Sequence, residues 1–293
     1  MLTLKFLNSD LLLFAASIGC QADELNLLYE LHPKFAGFPT YPIQLTFKGT
    51  ETDVIDFYKK SARNLPPGLP PIDTKRALDG ERYIEQIKPL PATSAGRNFE
   101  MRSKCLGVYD KGKSGIVVDT EMLLVDADTD EVYTRCVSSG FFVGQGGHGG
   151  PKGPKKPTYT IPNRKPDATH LDQTDDMTAL RYRLSGDYNP LHADPTIGPK
   201  MGLKGAILHG LCTFNHAAHA VLRAFGGSDP KNFKSFQARF ASPVMPGDAL
   251  LTSMWKVGQV DGYDEIYFVT TVNGKPVLSN GRALIKAPSK SNL

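Results

Sequence analysis

The chain reads as helix-like stretches followed by strand-like runs, and it does so twice. Runs rich in β-branched and aromatic residues, with polar residues interleaved, predict half-buried strands. Those strands are predicted over residues 82–87, 97–109, 113–126 and 131–143, and again over 234–240, 249–260, 263–272 and 275–286. Asn273-Gly274, between the last two runs, is a strong hairpin signal, because a two-residue turn of the favoured kind needs a positive φ at both positions. Helices are predicted over 10–18, with Ser9 or Asp10 as cap, and over 175–185. A third, over 210–225, carries Leu211, Phe214, Ala217, Ala218, Ala220, Val221, Leu222 and Phe225 and is apolar nearly all round, so it must be buried.

The repeated order predicts a duplicated module. Even the phrases that break strands correspond, Lys88-Pro89-Leu90-Pro91 in the first half and Ser242-Pro243-Val244-Met245-Pro246 in the second. Between Gly144 and Pro166 the composition shifts to Gly, Pro and Lys, and no helix can run through it. The division expected is 1–150, a linker over 151–170, and 171–293. An antiparallel sheet wrapped about one central helix buries that helix, and the arrangement made twice is an α+β double hotdog.

A length of 293 residues suits two domains with a sizeable core. Hydrophobic residues at 40% and charged residues at 22% place the chain among folded globular proteins rather than disordered ones. A net charge of +4, with both signs interspersed, lacks the basic footprint of a nucleic-acid binder. Cys20, Cys105, Cys136 and Cys212 stand far apart with no C-x-x-C pair, which predicts reduced thiols and no zinc finger. The apolar run 11–16 is too short to span a membrane, and the segment lacks the layout of a signal peptide.

Candidate chemistry is densest in Tyr182-Arg183-Leu184-Ser185-Gly186-Asp187-Tyr188-Asn189-Pro190-Leu191-His192-Ala193-Asp194-Pro195. Pro190 forbids a continuous helix, so Asp187, Asn189 and His192 share a short loop after a helix. A carboxylate and an imidazole on one tight loop can converge on a single water, as an acid/base pair requires. For a lone Asp-x4-His, a turn cap and a hydrogen-bonded loop histidine are the ordinary reading. The whole phrase, however, resembles the hydratase 2 motif of MaoC-like enoyl-CoA hydratases, including the hydratase 2 region of peroxisomal multifunctional enzymes of type 2. The resemblance runs from the opening helix to the phrase Lys234-Ser235-Phe236-Gln237-Ala238-Arg239-Phe240-Ala241-Ser242-Pro243-Val244-Met245-Pro246-Gly247-Asp248.

That resemblance implies roles. Asp187 and His192 match the pair that holds and activates water, and Asn189 matches the asparagine that bonds within the site. Ile207-Leu208-His209-Gly210 matches the start of the central helix, where the Gly210 N–H would bond a thioester oxygen. A helix N-terminus, with unpaired N–H groups and partial positive charge, suits that task. The implied reaction is hydration of a trans-2-enoyl-CoA to a (3R)-3-hydroxyacyl-CoA in peroxisomal fatty-acid β-oxidation. No cofactor is implied beyond the CoA of the substrate, and no metal; a homodimer is. The loop over 18–24 has no Asp-x-Asn-x-x-His, and Phe38-Pro39-Thr40 stands where His209-Gly210 would be. The first half is thus expected to be catalytically degenerate and to widen the acyl pocket.

Other signals are weaker. Ser291-Asn292-Leu293 resembles the Ser-Lys-Leu tail read by the peroxisomal import receptor, with Asn292 in place of the basic residue. Arg239 and Phe240, with Pro246 and Gly247, are candidates for the CoA groove. Gly144-x-Gly146-x-x-Gly149 fits a dinucleotide fingerprint by spacing, but Pro151 and Pro154 replace the helix it would need. A flexible linker is the leading reading there, with Gly149 and Gly150 approaching the CoA nucleotide as the functional one, and Lys152, Lys155 and Lys156 as possible phosphate contacts. His216 and His219, one turn apart without carboxylates nearby in sequence, are expected to be satisfied core or pocket histidines rather than metal ligands. Arg183 is expected to be an ion-pair partner. Two rivals remain open: a hotdog thioesterase, disfavoured because 211–225 holds no Asp or Glu, and a non-catalytic acyl-CoA-binding module, which would not need Asp187, Asn189 and His192 together.

Overall fold

The structure is a computed structural model that describes residues 2–60, 72–73 and 77–288. The tail Ser291-Asn292-Leu293 lies outside them. In the first half, β1 (Leu2–Thr3), α1 (Asn8–Ser17), α2 (Leu25–Leu28), α3 (Pro42–Lys48) and α4 (Phe57–Lys60) precede β2 (Ala77–Gln86), β3 (Phe99–Asp110), β4 (Gly115–Asp126) and β5 (Glu131–Val143). The second half has β6 (Ala168–Gln173), α5 (Thr178–Tyr182), α6 (Gly210–Gly226), β7 (Phe233–Phe240), β8 (Ala249–Val260), β9 (Tyr263–Val272) and β10 (Lys275–Ile285).

All ten strands form one antiparallel sheet in the order β1-β3-β4-β5-β2-β7-β10-β9-β8-β6. Read outward from its centre, the order is the same on both sides once five is added to each strand number. The sequence repeat is therefore a structural one, with the two hotdog sheets joined edge to edge at β2 and β7. Glu81 faces Arg239 and Glu85 faces Ser235 across that seam. The Lys88–Pro91 and Ser242–Pro246 phrases follow those two equivalent strands. Strand β6 was not expected; it starts at Ala168, inside the stretch read as linker, and pairs only with the edge of β8. At the last hairpin Asn273 and Gly274 take φ of 49° and 76°, as the turn requires.

One apolar core spans both halves, uniting Phe6, Phe14, Phe38 and Tyr41 with Tyr182, Phe214, Phe236 and Phe268. Helix α6 runs through it with every residue from Leu211 to Leu222 buried; its polar residues Asn215, His216 and His219 share one face, which meets Tyr182, Asp172 and Glu24 instead of water. Its counterpart α3 is seven residues long against seventeen. Helix α1 starts earlier than expected. Asp10 is not the cap but sits in the first turn, reaching back to accept the Leu7 N–H at 2.7 Å, the N3 half of a capping box. All four cysteines carry free thiols. No described helix is long and apolar enough to cross a membrane.

Candidate active site

Helix α5 tightens into a 3-10 turn over Arg183–Ser185 and stops at Gly186. There φ is +125°, and a Cβ would stand 3.1 Å from the backbone nitrogen of Lys48. Only glycine meets both demands, so the chain can turn in contact with α3 of the first half. Asp187 follows, and the Asn189 N–H donates to its Oδ1 at 3.2 Å. The Asn189 side chain accepts the Leu191 N–H at 3.1 Å and caps a single 3-10 turn, Pro190–His192, which Pro190 pre-sets. Asn189 thus positions Asp187 through its backbone and the turn through its amide.

The His192 ring is buried and fixed. Its Nδ1 donates to the Ile207 carbonyl at 2.9 Å; since a carbonyl only accepts, the proton of the neutral ring sits on Nδ1 and the lone pair on Nε2. The strip that supplies this carbonyl is held from both sides, by Leu191 at the Ile207 N–H and by Val244, which accepts the Leu208 N–H at 2.9 Å. His209 stacks on His192 with ring centroids 3.7 Å apart, and its Nε2 donates to the Asp187 carbonyl at 3.1 Å. One ligand atom from each of Asp187, His192 and His209 lies within 4.8 Å of the others, so this trio has the spacing to share a water or a cation. Burial pushes the His192 imidazole below its ordinary value of 6.5, opposed by the charge of Asp187 and the bond to Ile207. Burial, with His192 alongside, pushes His209 down further. Both rings are neutral at pH 7.

Gly210 is the first residue of α6 and is exposed, so its N–H has no acceptor within the helix and lies at the positive end of the dipole. The Phe240 ring packs over it, 3.1 Å from where a Cβ would be. Beneath the site Tyr182 is fully buried, and its hydroxyl accepts from Asn215 Nδ2 at 2.8 Å and from the amide of Gln44 on α3. The first half thereby braces the Asp187–His192 loop at Lys48 and at Gln44. Neither Tyr182 nor Gln44 was singled out from sequence, and His209 entered only as part of a phrase; a ring that stacks on another leaves no trace in residue spacing.

Several expectations need correction. Phe240 faces the site, but successive strand residues point to opposite faces, and Arg239 turns the other way to pair with Glu81 at 3.2 Å. The two do not line one groove. Pro246 and Gly247 lie in the β7–β8 turn, where Gly247 accepts from Gln173 at 2.9 Å; that turn carries Val244, which buttresses Leu208. The Gly-rich stretch is neither flexible linker nor phosphate cradle. The N–H groups of Gly112, Gly147 and Gly149 each donate at 2.8 Å to the Asp110 carboxylate, and Gly150 packs on its Cβ. The anion that Gly149 binds is thus the protein's own. Lys156 is held by Asp119 and Ser139, while Lys152 and Lys155 are exposed. Arg183 lies over the Tyr188 ring at 5.3 Å, a cation–π contact in place of the expected ion pair. His216 and His219 do have carboxylates beside them, Asp172 and Glu24, brought by the fold from β6 and from the first half. Finally, the first-half counterpart of His209-Gly210 is Tyr41-Pro42, the cap and first residue of α3, rather than Phe38-Pro39-Thr40. Pro42 has no N–H to offer.

Comparison with known proteins agrees with this architecture. The MFE-2 hydratase 2 N-terminal domain model matches residues 4–144 and the MaoC like domain model matches 157–276. A probable dehydratase NIT22 from Ajellomyces capsulatus is 47% identical over 96% of this chain and 78% of its own length. A probable enoyl-CoA hydratase 2 from Dictyostelium discoideum is 33% identical over 97% and 92%. Among solved structures, a MaoC-like dehydratase from Phytophthora capsici superposes with a TM-score of 0.87 at 34% identity, covering 98% of this chain and 95% of that one. With both halves matched by family models, and relatives aligned along nearly its whole length, the chain belongs to the MaoC-like hydratase 2 family of hydro-lyases.

Proposed function

We propose that the enzyme hydrates trans-2-enoyl-CoA thioesters to (3R)-3-hydroxyacyl-CoA, reversibly and without a cofactor, with Asp187 and His192 as the catalytic pair. The observation that carries this reading is a neutral His192, its Nδ1–H tied to Ile207 and its Nε2 free to accept, grouped with Asp187 and next to the open N-terminus of α6. In this reading the thioester carbonyl oxygen accepts from the Gly210 N–H, which stabilises the charge that develops there. Asp187 and Nε2 of His192 hold a water. As its oxygen bonds to C3, its proton passes to Nε2 and the double-bond electrons move onto the carbonyl oxygen. When the enolate collapses, that proton is returned to C2 on the same face and His192 is neutral again. Acid/base help contributes about 10²–10⁴-fold and the oxyanion donor about 10²–10³-fold.

The first half is assigned a supporting role. Its α3 is less than half as long as α6 and starts at a proline, so it cannot polarise a carbonyl in the same way. The space that a longer helix would fill is assigned to the acyl chain. A peroxisomal setting in fatty-acid β-oxidation is supported by a relative named peroxisomal enoyl-CoA hydratase 2 from Arabidopsis thaliana, and a reporter ending in Ser-Asn-Leu is expected to enter peroxisomes. The central test is turnover of trans-2-decenoyl-CoA with chiral analysis of the product. A (3R) alcohol is expected, with rates lowered at least about a hundredfold by Asp187→Asn and by His192→Ala. A (3S) product, release of free CoA, or binding without turnover would overturn the assignment.

A further inference from the structure

A second cluster of buried, titratable side chains lies away from the catalytic loop, where the first half covers the outer turns of α6. Its members come from three places in the chain: His170 and Asp172 on β6, His216 and His219 on α6, and Cys20 and Glu24 from the loop after α1. His170 Nε2 lies 3.3 Å from Asp172 Oδ1, and His216 Nδ1 lies 3.4 Å from the same oxygen. One ligand atom from each of His170, Asp172 and His219 falls within 4.8 Å of the other two.

This cluster leaves polar capacity unused. Asp172 Oδ2, Nε2 of His216 and Nδ1 of His219 are buried without a hydrogen-bond partner, in residues only 7%, 6% and 1% exposed. Three such atoms in one place point to a guest, because a buried polar atom left unmade costs about 1–3 kcal/mol. The other nitrogen of His219 is already spent: Nε2 donates to Glu24 Oε2 at 2.8 Å. A histidine oriented by a carboxylate through one nitrogen, with the other left bare, is the arrangement found around metal-bound imidazoles. The backbone closes the site as well: Gly19, at φ +88°, passes so near that a Cβ would stand 2.8 Å from Asp172 Oδ1 and 2.9 Å from His216 Nδ1.

We propose that His170, Asp172 and His219 hold one divalent cation of the zinc type, beneath Gly19, with Glu24 bracing His219 and His216 beside Asp172. Two imidazoles and one carboxylate, with a water in the fourth position, suit late first-row metals, zinc above all. The ligands come from β6 and α6, whereas the cover and brace come from the first half, so the ion fastens the two halves together. The site is separate from Asp187 and His192 and stands or falls independently of the hydratase reading.

Metal-stripped full-length protein titrated with Zn²⁺ is expected to take up one tight equivalent and to melt about 4 °C or more higher at a hundredfold excess over Kd. Co²⁺ in its place is expected to give the visible absorption of a four-coordinate nitrogen and oxygen site. Asp172→Asn and His170→Gln are each expected to weaken uptake by about a hundredfold or more, while Asp187→Asn and His192→Ala leave it intact. Should Asp172→Asn not fold, His170→Gln decides, since that side chain is partly exposed and its loss opens no core cavity. Absence of Zn²⁺ uptake by the parent protein, uptake that ignores both substitutions, or uptake lost with Asp187→Asn would overturn the proposal; the first would leave water as the guest.

Discussion

At the scale of single residues, the Asp187–His192 loop is fixed by short bonds: the Asn189 N–H to Asp187, the Leu191 N–H to Asn189 and His192 Nδ1 to Ile207. His192 spends Nδ1 on Ile207 and keeps Nε2. Because burial lowers its pKa from 6.5, the neutral form survives to more acid pH than in a free histidine. If neutral His192 is the base, kcat/KM for hydration is therefore expected to hold down to pH 6.5 and to fall only below it. An acid limb centred above 6.5 in the pH profile of the free enzyme would contradict that. Tyr182 shows the cost of a buried hydroxyl. Tyr182→Phe leaves the amide groups of Gln44 and Asn215 without their common acceptor, and is expected to destabilise the fold by about 1–3 kcal/mol in denaturant titrations.

At the scale of elements, the loop after β5 behaves as an anchored turn. Its N–H groups are drawn onto the Asp110 carboxylate, and the bonds from Gly147, Gly112 and Gly149 bring that carboxyl down from 3.8 to about 2. A carboxyl depressed on folding contributes stability that is present above its unfolded value and lost as pH falls through the folded one. Asp110→Asn is accordingly expected to unfold more readily than the parent at pH 7, with the difference vanishing between pH 3.8 and about 2 in acid titrations followed by circular dichroism. The composition of 144–151 suggested a linker because glycine and proline exclude helix, and composition carries no sign of a carboxylate that belongs to β3. Strand β6 was missed for a related reason: its residues alternate in burial, but those facing inward are Ala168, His170 and Asp172 while Leu171 faces out, so the usual apolar-in pattern is absent. Helix α6, by contrast, was legible at once from its many apolar residues, although the buried partners of its polar face, Asn215, His216 and His219, came only with the fold.

At the scale of the whole molecule, the ten strands and the shared core leave no natural break between the halves. Residues 81–85 of β2 pair with 235–239 of β7, and the same apolar cluster holds side chains from both sides. The halves are therefore expected to melt together, in one calorimetric transition whose van't Hoff and measured enthalpies agree. Two resolved transitions would show that the seam is weaker than its pairing implies.

Much of this was determined by sequence alone. Local periodicity, the Asn273-Gly274 turn, the all-apolar helix and the Asp187 to His192 phrase are properties of neighbours along the chain. The strands from 97 to 143 and from 234 to 286, the duplicated order and the make-up of the Asp187–His192 loop were accordingly readable from it, whereas β2 begins at Ala77, five residues before its expected start. Only the tertiary structure decided what depends on residues far apart. The stack of His192 on His209 is one case, and the turning of Arg239 away from Phe240 toward Glu81 is another. The anchoring of Gly149 by Asp110 and the gathering of His170, Asp172, His216 and His219 under Gly19 are of the same kind. The physical reason is common to all of them: burial and electrostatics act through space, and no spacing rule along a chain reports which side chains the fold will bring within a few ångströms of each other.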